Sequence, residues 1–597
     1  MLRHVTDDPV RAVTLAWRAL PPPLRGLVGL AGPYGRAAAL WGAGDRRGAL
    51  TALEGSPARL AAFSLAVDQP TVARSALARL SQHNGARPRL AARLAYREGR
   101  LADAVAELDG AGGWRAARLR RSLLAEVAML EPGALTLGAP SRPELAAAPG
   151  PVFAARGTKV LHIVTDALPS TSAGYTIRTQ EIAVAQRAAG LDPHVTTRIG
   201  FPVTAGAIDG RATVTVNGVP YHRLLPWVMP GRMDRLYRAH LRRAARLTGR
   251  LRPAVLHAAS NYANAVIALA LRDVTRLPVV YEVRGFWEDT WLSRHAASAD
   301  LTRSDRYLRT RALETYCMTE ADLVVTLGEA MRDEIIERGV PARNVVIVPN
   351  AVSESFLRPL PSDGGRLRAS LGIQPGEQVV GLVSSLVAHE GIGTLLEAVK
   401  LLGDRGVRAR ALIVGDGPER TALQRQAAGL GLDAVFTGRV PSSKVRDYHA
   451  VLDVFVVPRT PDRVCQLVTP LKPVEAMASG LPVVVSSVRA LAEIVQDGET
   501  GLLFPPLDAG ALADQLKQLL DNPELRRKLG ASAREWVARD RTWAHNAARY
   551  RDIYGRLLSP SRGDDPPAPP DHGGPARPPM APRGGDGAET APPPHGG

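Results

Sequence analysis

Two stretches hold the residue types that could bind a ligand carrying a diphosphate. Val380-Gly381-Leu382-Val383-Ser384-Ser385-Leu386 reads as the end of a strand, and His389-Glu390-Gly391-Ile392-Gly393-Thr394 then opens a helical stretch through Leu401. Free backbone N–H groups and the helix dipole at such an N-terminus favour an anion such as a diphosphate. Farther on, Thr469-Pro470-Leu471-Lys472-Pro473-Val474-Glu475 leads into Ala476-Met477-Ala478. A glutamate at a helix start is well placed to accept two vicinal hydroxyls. Lys472, three residues before it, could meet phosphate as a point charge. Between these stretches lie a strand with a tight turn, Ile413–Pro418, which contains Gly415, and Phe436–Val440, which contains Arg439. In the first half of the chain, Lys159–Thr165 leads into Ala173-Gly174-Tyr175-Thr176-Ile177-Arg178, where glycine lets the backbone approach a ligand closely. There is no Walker A sequence and no complete G-x-G-x-x-G, which counts against nucleotide hydrolysis and ordinary dinucleotide binding.

The elements that must position these residues alternate regularly. Apolar runs at Val160–Val164, Ala254–His257, Val279–Val283, Leu323–Thr326 and Val345–Val348 form one series. Val379–Val383, Ala411–Val414, Ala434–Thr437, Val454–Val457 and Pro482–Ser486 form a second. Continuous Val/Ile/Leu runs separated by amphipathic helices predict parallel sheets covered on both faces. The fold class is therefore α/β, with two doubly wound Rossmann-like domains over 158–360 and 361–540 and a seam near Asn350–Pro361. Ligands then bind in the crevice beyond the strands' carboxyl ends, between the two sheets. Residues 1–130 are Ala-, Leu- and Arg-rich, with helical spacing. Helices there break at Gly44-Asp45 and Gly99-Arg100 and restart, as degenerate hairpins of tetratricopeptide type do, without a clean 34-residue period. Such a region is either a partner-binding surface or an appendage packed on the main body. The Pro-rich stretch 131–157 reads as a linker, and 559–597 as a disordered Pro/Gly-rich tail.

Composition bounds the rest. At roughly 100–200 residues per domain, 597 residues make three to five domains. With 45% hydrophobic and 22% charged residues, most of the chain can bury a core. The net charge of +17 invites a nucleic-acid or anionic-membrane partner, or simply an Arg-biased composition. Eight arginines crowd Arg232–Arg252, with Leu236, Leu241, Leu247 and Leu251 between them. That segment reads either as a helix docking on anionic lipid or as an ordinary surface helix. No aromatic platform accompanies the base, so nucleic acid is not the expected partner. Cys317 and Cys465 make neither a disulfide framework nor a zinc spacing. Without a long apolar run or a signal-peptide pattern, the expected location is cytoplasmic, with peripheral attachment to the inner face of the membrane left open.

Five ordered segments carry a family resemblance: Ile347–Val352, Val414–Pro418, Phe436–Val440, Glu475–Val484 and Asp497–Pro505. Residues 158–558 resemble family 4 glycosyltransferases of the two-domain GT-B architecture. Tyr281–Asp289 and Thr469–Glu475 are similar to a subgroup associated with exopolysaccharide assembly. The resemblance implies a retaining hexosyltransferase with a UDP- or GDP-linked donor, a polysaccharide or lipid-linked acceptor, and a terminal helix over 541–558 that crosses back to the first domain. It places Glu475 on the donor ribose. Donor-side candidates are Gly174, Ser384, Ser385, Gly391, Gly415, Arg439, Arg459, Thr469, Pro470, Leu471, Lys472 and Glu475. Candidates for the catalytic side are Arg284, Glu282 and His257.

The departures are specific. The family's first glutamate falls on Leu467, its phosphate-binding Arg on Ser385, its Lys on Glu390, and its first-domain catalytic His on Arg284. Lys472 is the first choice to replace the missing charge, with Arg459, Arg439 and Arg463 as alternatives. The reaction needs cations and N–H dipoles on a departing diphosphate and a group near the acceptor hydroxyl; no metal or other cofactor is expected. Two other readings stand beside it: a catalytically degenerate scaffold, and a nucleotide-sugar 2-epimerase, whose carboxylate–His cluster does not appear. His257 is placed at a strand end facing the cleft, where both a substrate-binding and a structural role fit. Glu282 and Arg284 end an apolar strand and either pair with each other or serve the site. His162 reads as core, Trp287 as packing and His389 as loop; Cys465 is given no chemistry.

Overall fold

In the computed structural model, which describes residues 32–136, 158–207, 209–293, 301–360 and 364–559, the apolar runs pair into two sheets. The first comprises β1 Lys159–Val164, β2 Asp192–Thr197, β3 Thr213–Val216, β4 Val219–His222, β5 Val255–Ala259, β6 Val279–Glu282, β7 Leu323–Thr326 and β8 Val345–Ile347. Its order is β3-β4-β2-β1-β5-β6-β7-β8, and only β3 and β4 run antiparallel. The second comprises β9 Gln378–Val383, β10 Ala409–Val414, β11 Val435–Gly438, β12 Val454–Val457, β13 Val483–Ser486 and β14 Leu502–Phe504, in the order β11-β10-β9-β12-β13-β14. Both sheets reverse their winding direction once, the first between β1 and β5 and the second between β9 and β12. A crevice opens at such points beyond the strand ends.

Four strands lie outside the expected runs. β2 is built from Asp192-Pro193-His194-Val195-Thr196-Thr197, too polar to read as a buried strand. β3 and β4 form a short edge hairpin whose turn, Asn217-Gly218, has φ of 48° and 80°. β14 has only three residues.

Chain order and spatial order part company at the carboxyl end. The helix Trp543–Leu558 lies on the first sheet, where Trp543, Tyr550, Ile553 and Tyr554 share a core with Val160, Ile182, Val255 and Val280.

Residues 32–130 form seven helices, from Gly32–Gly42 to Trp114–Met129. Gly44 and Gly99 turn the two expected hairpins. This region has its own core around Leu60, Ala61, Phe63 and Leu77. It is also fastened to the first α/β domain. The helix Leu101–Ala106 lacks a side-chain cap of its own. Its first N–H groups, on Leu101 and Ala102, donate instead to the Asp305 carboxylate, each at 2.7 Å. Leu101 and Leu130 complete the first domain's core. Of the two readings of this region, packing on the main body describes the geometry. Residues 1–31, most of the 131–157 linker and the tail from residue 560 lie outside the described residues; Leu135 of the linker packs on the first domain.

The Arg-rich segment is the helix Met233–Leu251. Its leucines do not form a free apolar stripe. Leu241 and Leu247 are buried, and Leu236 and Leu251 pack on the same core. Arg235, Arg238, Arg242, Arg246 and Arg250 face outward. Exposed apolar side chains sit in the loop just before the helix: Trp227, Val228 and Met229.

The cap across the interface gives a direct test. Asp305→Ala should cost about 1 kcal/mol, the usual worth of a helix cap. In hydrogen exchange, Leu101–Ala106 should lose protection while β9–β14 keep theirs.

Candidate active site

The donor-side wall is built from loops at the carboxyl ends of β9, β10 and β12. These loops press together so closely that two positions require glycine. Gly391 (φ 66°) would place a Cβ 1.9 Å from the Pro458 carbonyl oxygen, and Gly415 (φ 141°) would place one 1.7 Å from that of Ser384. Ser384 is buried and its backbone N–H donates to Val414 O at 2.8 Å. Its hydroxyl accepts from Lys472 Nζ at 2.6 Å. Lys472 Nζ also lies 3.2 Å from Glu390 Oε1, which accepts from Arg459 Nη2 at 3.0 Å. Arg459 follows β12 and Ser384 follows β9, so both cations gather at the second sheet's reversal point. Lys472 and Arg459 are thus the cations that converge beside Ser384 and Glu390. Ser385 and Arg439 are exposed, and Arg439 makes no side-chain hydrogen bond among the described residues.

Glu475 lies one helical turn after Lys472. It is half-buried and its carboxylate makes no hydrogen bond among the described residues. Burial pushes it up to about 7; Lys472 pulls it down, and Glu181 of the first domain pushes it up. Glu181, itself raised by burial, was missed in the sequence. The available signal was its place on the helix that Gly174 opens, Gly174–Ala188.

The segment between β12 and Glu475 closes the cleft from the donor side. Leu467 is buried in the first domain's core, an apolar plug at the position where the resemblance implies a carboxylate. Thr469 is buried; its carbonyl accepts from Asn350 Nδ2 at 2.7 Å, and its hydroxyl has no partner. Pro470 is buried beside it, and Leu471 reaches Gly174, whose added Cβ would lie 3.7 Å from Leu471 Cδ1. Arg463, an alternative donor cation in the sequence, is taken up across the cleft by Asp289 at 3.1 Å and Glu334 at 2.6 Å.

The first-domain candidates form one network. Glu282 is fully buried and takes Arg178 at 2.7 Å, Arg284 at 2.8 Å and His257 Nε2 at 3.0 Å. Burial would raise this carboxyl, but Arg284, Arg178 and His257 hold it well below the usual carboxylate range. Arg284 also donates to Tyr175 O at 2.9 Å and Thr179 Oγ1 at 2.7 Å, stapling the Gly174 helix to the end of β6. The expectation for His257 needs correction. It pairs with His162 and Val280 in mid-sheet, is fully buried, and lies under Tyr554, whose hydroxyl is 2.6 Å from its Nδ1. Tyr554 also accepts from Gln186 at 3.0 Å, so its proton points to Nδ1 and His257 Nε2–H donates to Glu282. Burial lowers the His257 pKa, keeping the ring neutral. His257 therefore does not face the cleft; the terminal helix covers it.

Arg178, at the end of the Ala173–Arg178 motif, has no role that the sequence alone assigns. It is buried and donates to Val348 O at 2.7 Å, Pro349 O at 2.9 Å and Asn350 Oδ1 at 3.1 Å, fixing the segment that follows β8 and leaves the first domain.

Comparisons with known proteins agree with this geometry. Residues 173–351 match the model described as glycosyl transferase 4-like domain, and residues 365–536 that of glycosyl transferases group 1. The chain is 31% identical over 300 residues to the D-inositol 3-phosphate glycosyltransferase of Corynebacterium glutamicum, covering 48% of this chain and 69% of the relative. It is 30% identical over 238 residues to the GDP-mannose-dependent alpha-(1-6)-phosphatidylinositol monomannoside mannosyltransferase of Mycolicibacterium smegmatis, covering 39% and 62%. For several curated relatives the match spans only 53–65% of their own length. Among solved structures, Anabaena HepE in complex with UDP-glucose aligns with a TM-score of 0.53 at 17% identity, over 67% of this chain and 99% of that one. That likeness concerns the fold.

The desolvated Glu475 carboxyl has a consequence for stability. With its pKa raised from 4.5 to about 7 in the folded chain, it costs nothing below 4.5. It destabilises progressively up to 7 and fully above that. Glu475→Gln should therefore raise the Tm of the ligand-free protein at pH 8 and leave it unchanged at pH 4, measured by calorimetry.

Proposed function

Because the chain belongs to the family 4 glycosyltransferases of GT-B fold, we propose that it transfers a hexose from a UDP- or GDP-linked donor to a polysaccharide or lipid-linked cell-envelope acceptor, with retention of anomeric configuration. The observation that carries this reading is that Lys472 and Arg459 converge beside Ser384 at the second sheet's reversal point, with Glu475 one helical turn after Lys472 and its carboxylate making no hydrogen bond among the described residues. The ribose hydroxyls donate to the Glu475 carboxylate. The diphosphate lies against Lys472, Arg459 and the N-terminus of the helix Ile392–Asp404. As the glycosidic bond breaks, negative charge grows on the leaving diphosphate, and fixed cations and N–H dipoles stabilise it without reorganising. With this charge supplied by the chain's own residues, the proposal calls on no metal. The first-domain wall, through the Gly174 helix held by Arg284, presents the acceptor hydroxyl. The acceptor oxygen bonds to the anomeric carbon on the face that the diphosphate leaves, which retains configuration, and the hydroxyl proton passes to the departing phosphate oxygen.

Leu467 favours a second reading, a binding body without turnover, because the carboxylate expected there is missing. The first test separates these. UDP or GDP should raise the wild-type Tm by several degrees, and Glu475→Ala should abolish most of the shift. If neither UDP, GDP nor ADP stabilises the protein, the transferase reading fails. Binding without sugar transfer or donor hydrolysis would select the second reading.

The proposed site of action is the cytoplasmic face of the cell membrane. The outward arginines of Met233–Leu251 suit anionic headgroups, and Trp227 and Val228 suit the interfacial layer. Among the described residues, no helix is long and apolar enough to cross a membrane. The protein should sediment with phosphatidylglycerol vesicles and not with phosphatidylcholine vesicles. Trp227→Ser combined with Arg238→Glu and Arg242→Glu should lower the bound fraction several-fold; equal binding to both vesicle types would refute the attachment.

A further inference from the structure

The cations of the donor wall are not idle in the ligand-free site. Glu390 occupies them. It ends the short turn Ala388–Glu390, immediately before the helix that begins at Ile392. It is only 5% exposed. The turn cannot swing away freely, because the His389 carbonyl accepts from Thr460 N at 3.1 Å and Thr460 Oγ1 at 3.2 Å, and Gly391 abuts the Pro458 carbonyl. Glu390 is thereby fixed against Arg459 and Lys472, at 3.0 and 3.2 Å. A carboxylate between two cations at a helix N-terminus has the charge and the surroundings that a phosphate group would have there.

Those cations keep donors in reserve. Arg459 Nη1 donates to Val468 O at 2.9 Å and Nη2 to Glu390, while the buried Nε has no partner. Lys472 spends one donor on Ser384 and one on Glu390, leaving a third. The site therefore has room in its hydrogen bonding for a further anion, but its net charge is reduced by Glu390 before that anion arrives.

We propose that Glu390 is a built-in counter-anion that competes with the diphosphate for Arg459 and Lys472, and so weakens retention of the nucleoside diphosphate product. This rests on the reading that the cleft binds a nucleoside diphosphate. The opposite sign would follow if Glu390 only aligned the cations, because its removal would then loosen them and weaken binding.

The full chain with Glu390→Gln is titrated with UDP and GDP by calorimetry, with uridine and guanosine as phosphate-free controls. Removing the competing charge leaves two cations uncompensated. The ligand-free Tm should fall, while the Kd for the nucleotide that binds wild type should tighten roughly tenfold and nucleoside binding should not change. An unchanged or weakened Kd overturns the proposal, while intact wild-type binding preserves the functional reading. If wild type binds neither nucleotide, that reading falls and this proposal with it. Should Glu390→Gln not fold, Glu390→Asp, which draws the carboxylate back, serves instead; tighter nucleotide binding supports competition, and unchanged or weaker binding overturns it.

Discussion

Burying the Glu282 carboxylate without compensation would cost far more than a domain of this size can spare, so three elements must converge on it. Arg178 comes from the Gly174 helix, Arg284 from the end of its own strand, and His257 from the neighbouring strand. Each brings a second attachment. Arg178 fixes Val348–Asn350, Arg284 fixes the first turns of the Gly174 helix, and His257 Nδ1 accepts a hydrogen bond from the Tyr554 hydroxyl on the terminal helix. The first-domain face of the cleft, the exit of the chain from that domain and the return of its last helix are thus all registered against one buried charge. Removing any one partner would leave the others facing an unbalanced interior.

The donor side solves a related problem with its charges rearranged. The positions where relatives are expected to hold a cation carry Ser385 and Glu390. Lys472 and Arg459 enter the same space from the segment after β12 and are partly neutralised by Glu390. The plug at Leu467 belongs to the same rearrangement. Leu467 anchors its segment in the opposite domain and holds Thr469, Leu471 and Lys472 close to the cleft.

Much of this was legible in the residues. Ten of the fourteen strands announce themselves as Val/Ile/Leu runs because both of their faces are covered. β2 hides because its threonines, histidine and proline carry no apolar signal, and β3 and β4 because an edge hairpin needs only one covered face. Lys472 and Glu475 were readable because a helix start dictates what lies one turn away. His257 was misread: position along a strand does not tell which element covers it, and its cover arrives almost three hundred residues later in the chain, as Tyr554. Arg178 and Glu181 escaped for a similar reason, since their partners lie on β6, in the segment after β8 and across the cleft. Local spacing specifies elements; the partners of a buried charge are set by tertiary packing.

The chain passes between the two α/β domains twice, once after β8 and once before the terminal helix. The two passages lie side by side. Val352 N donates to Arg541 O at 2.9 Å and Trp543 N to Val352 O at 3.4 Å, a parallel bridge between Val352 and Thr542. The two crossings are therefore tied to each other as well as to the domains they join, so neither can shift without carrying the other with it.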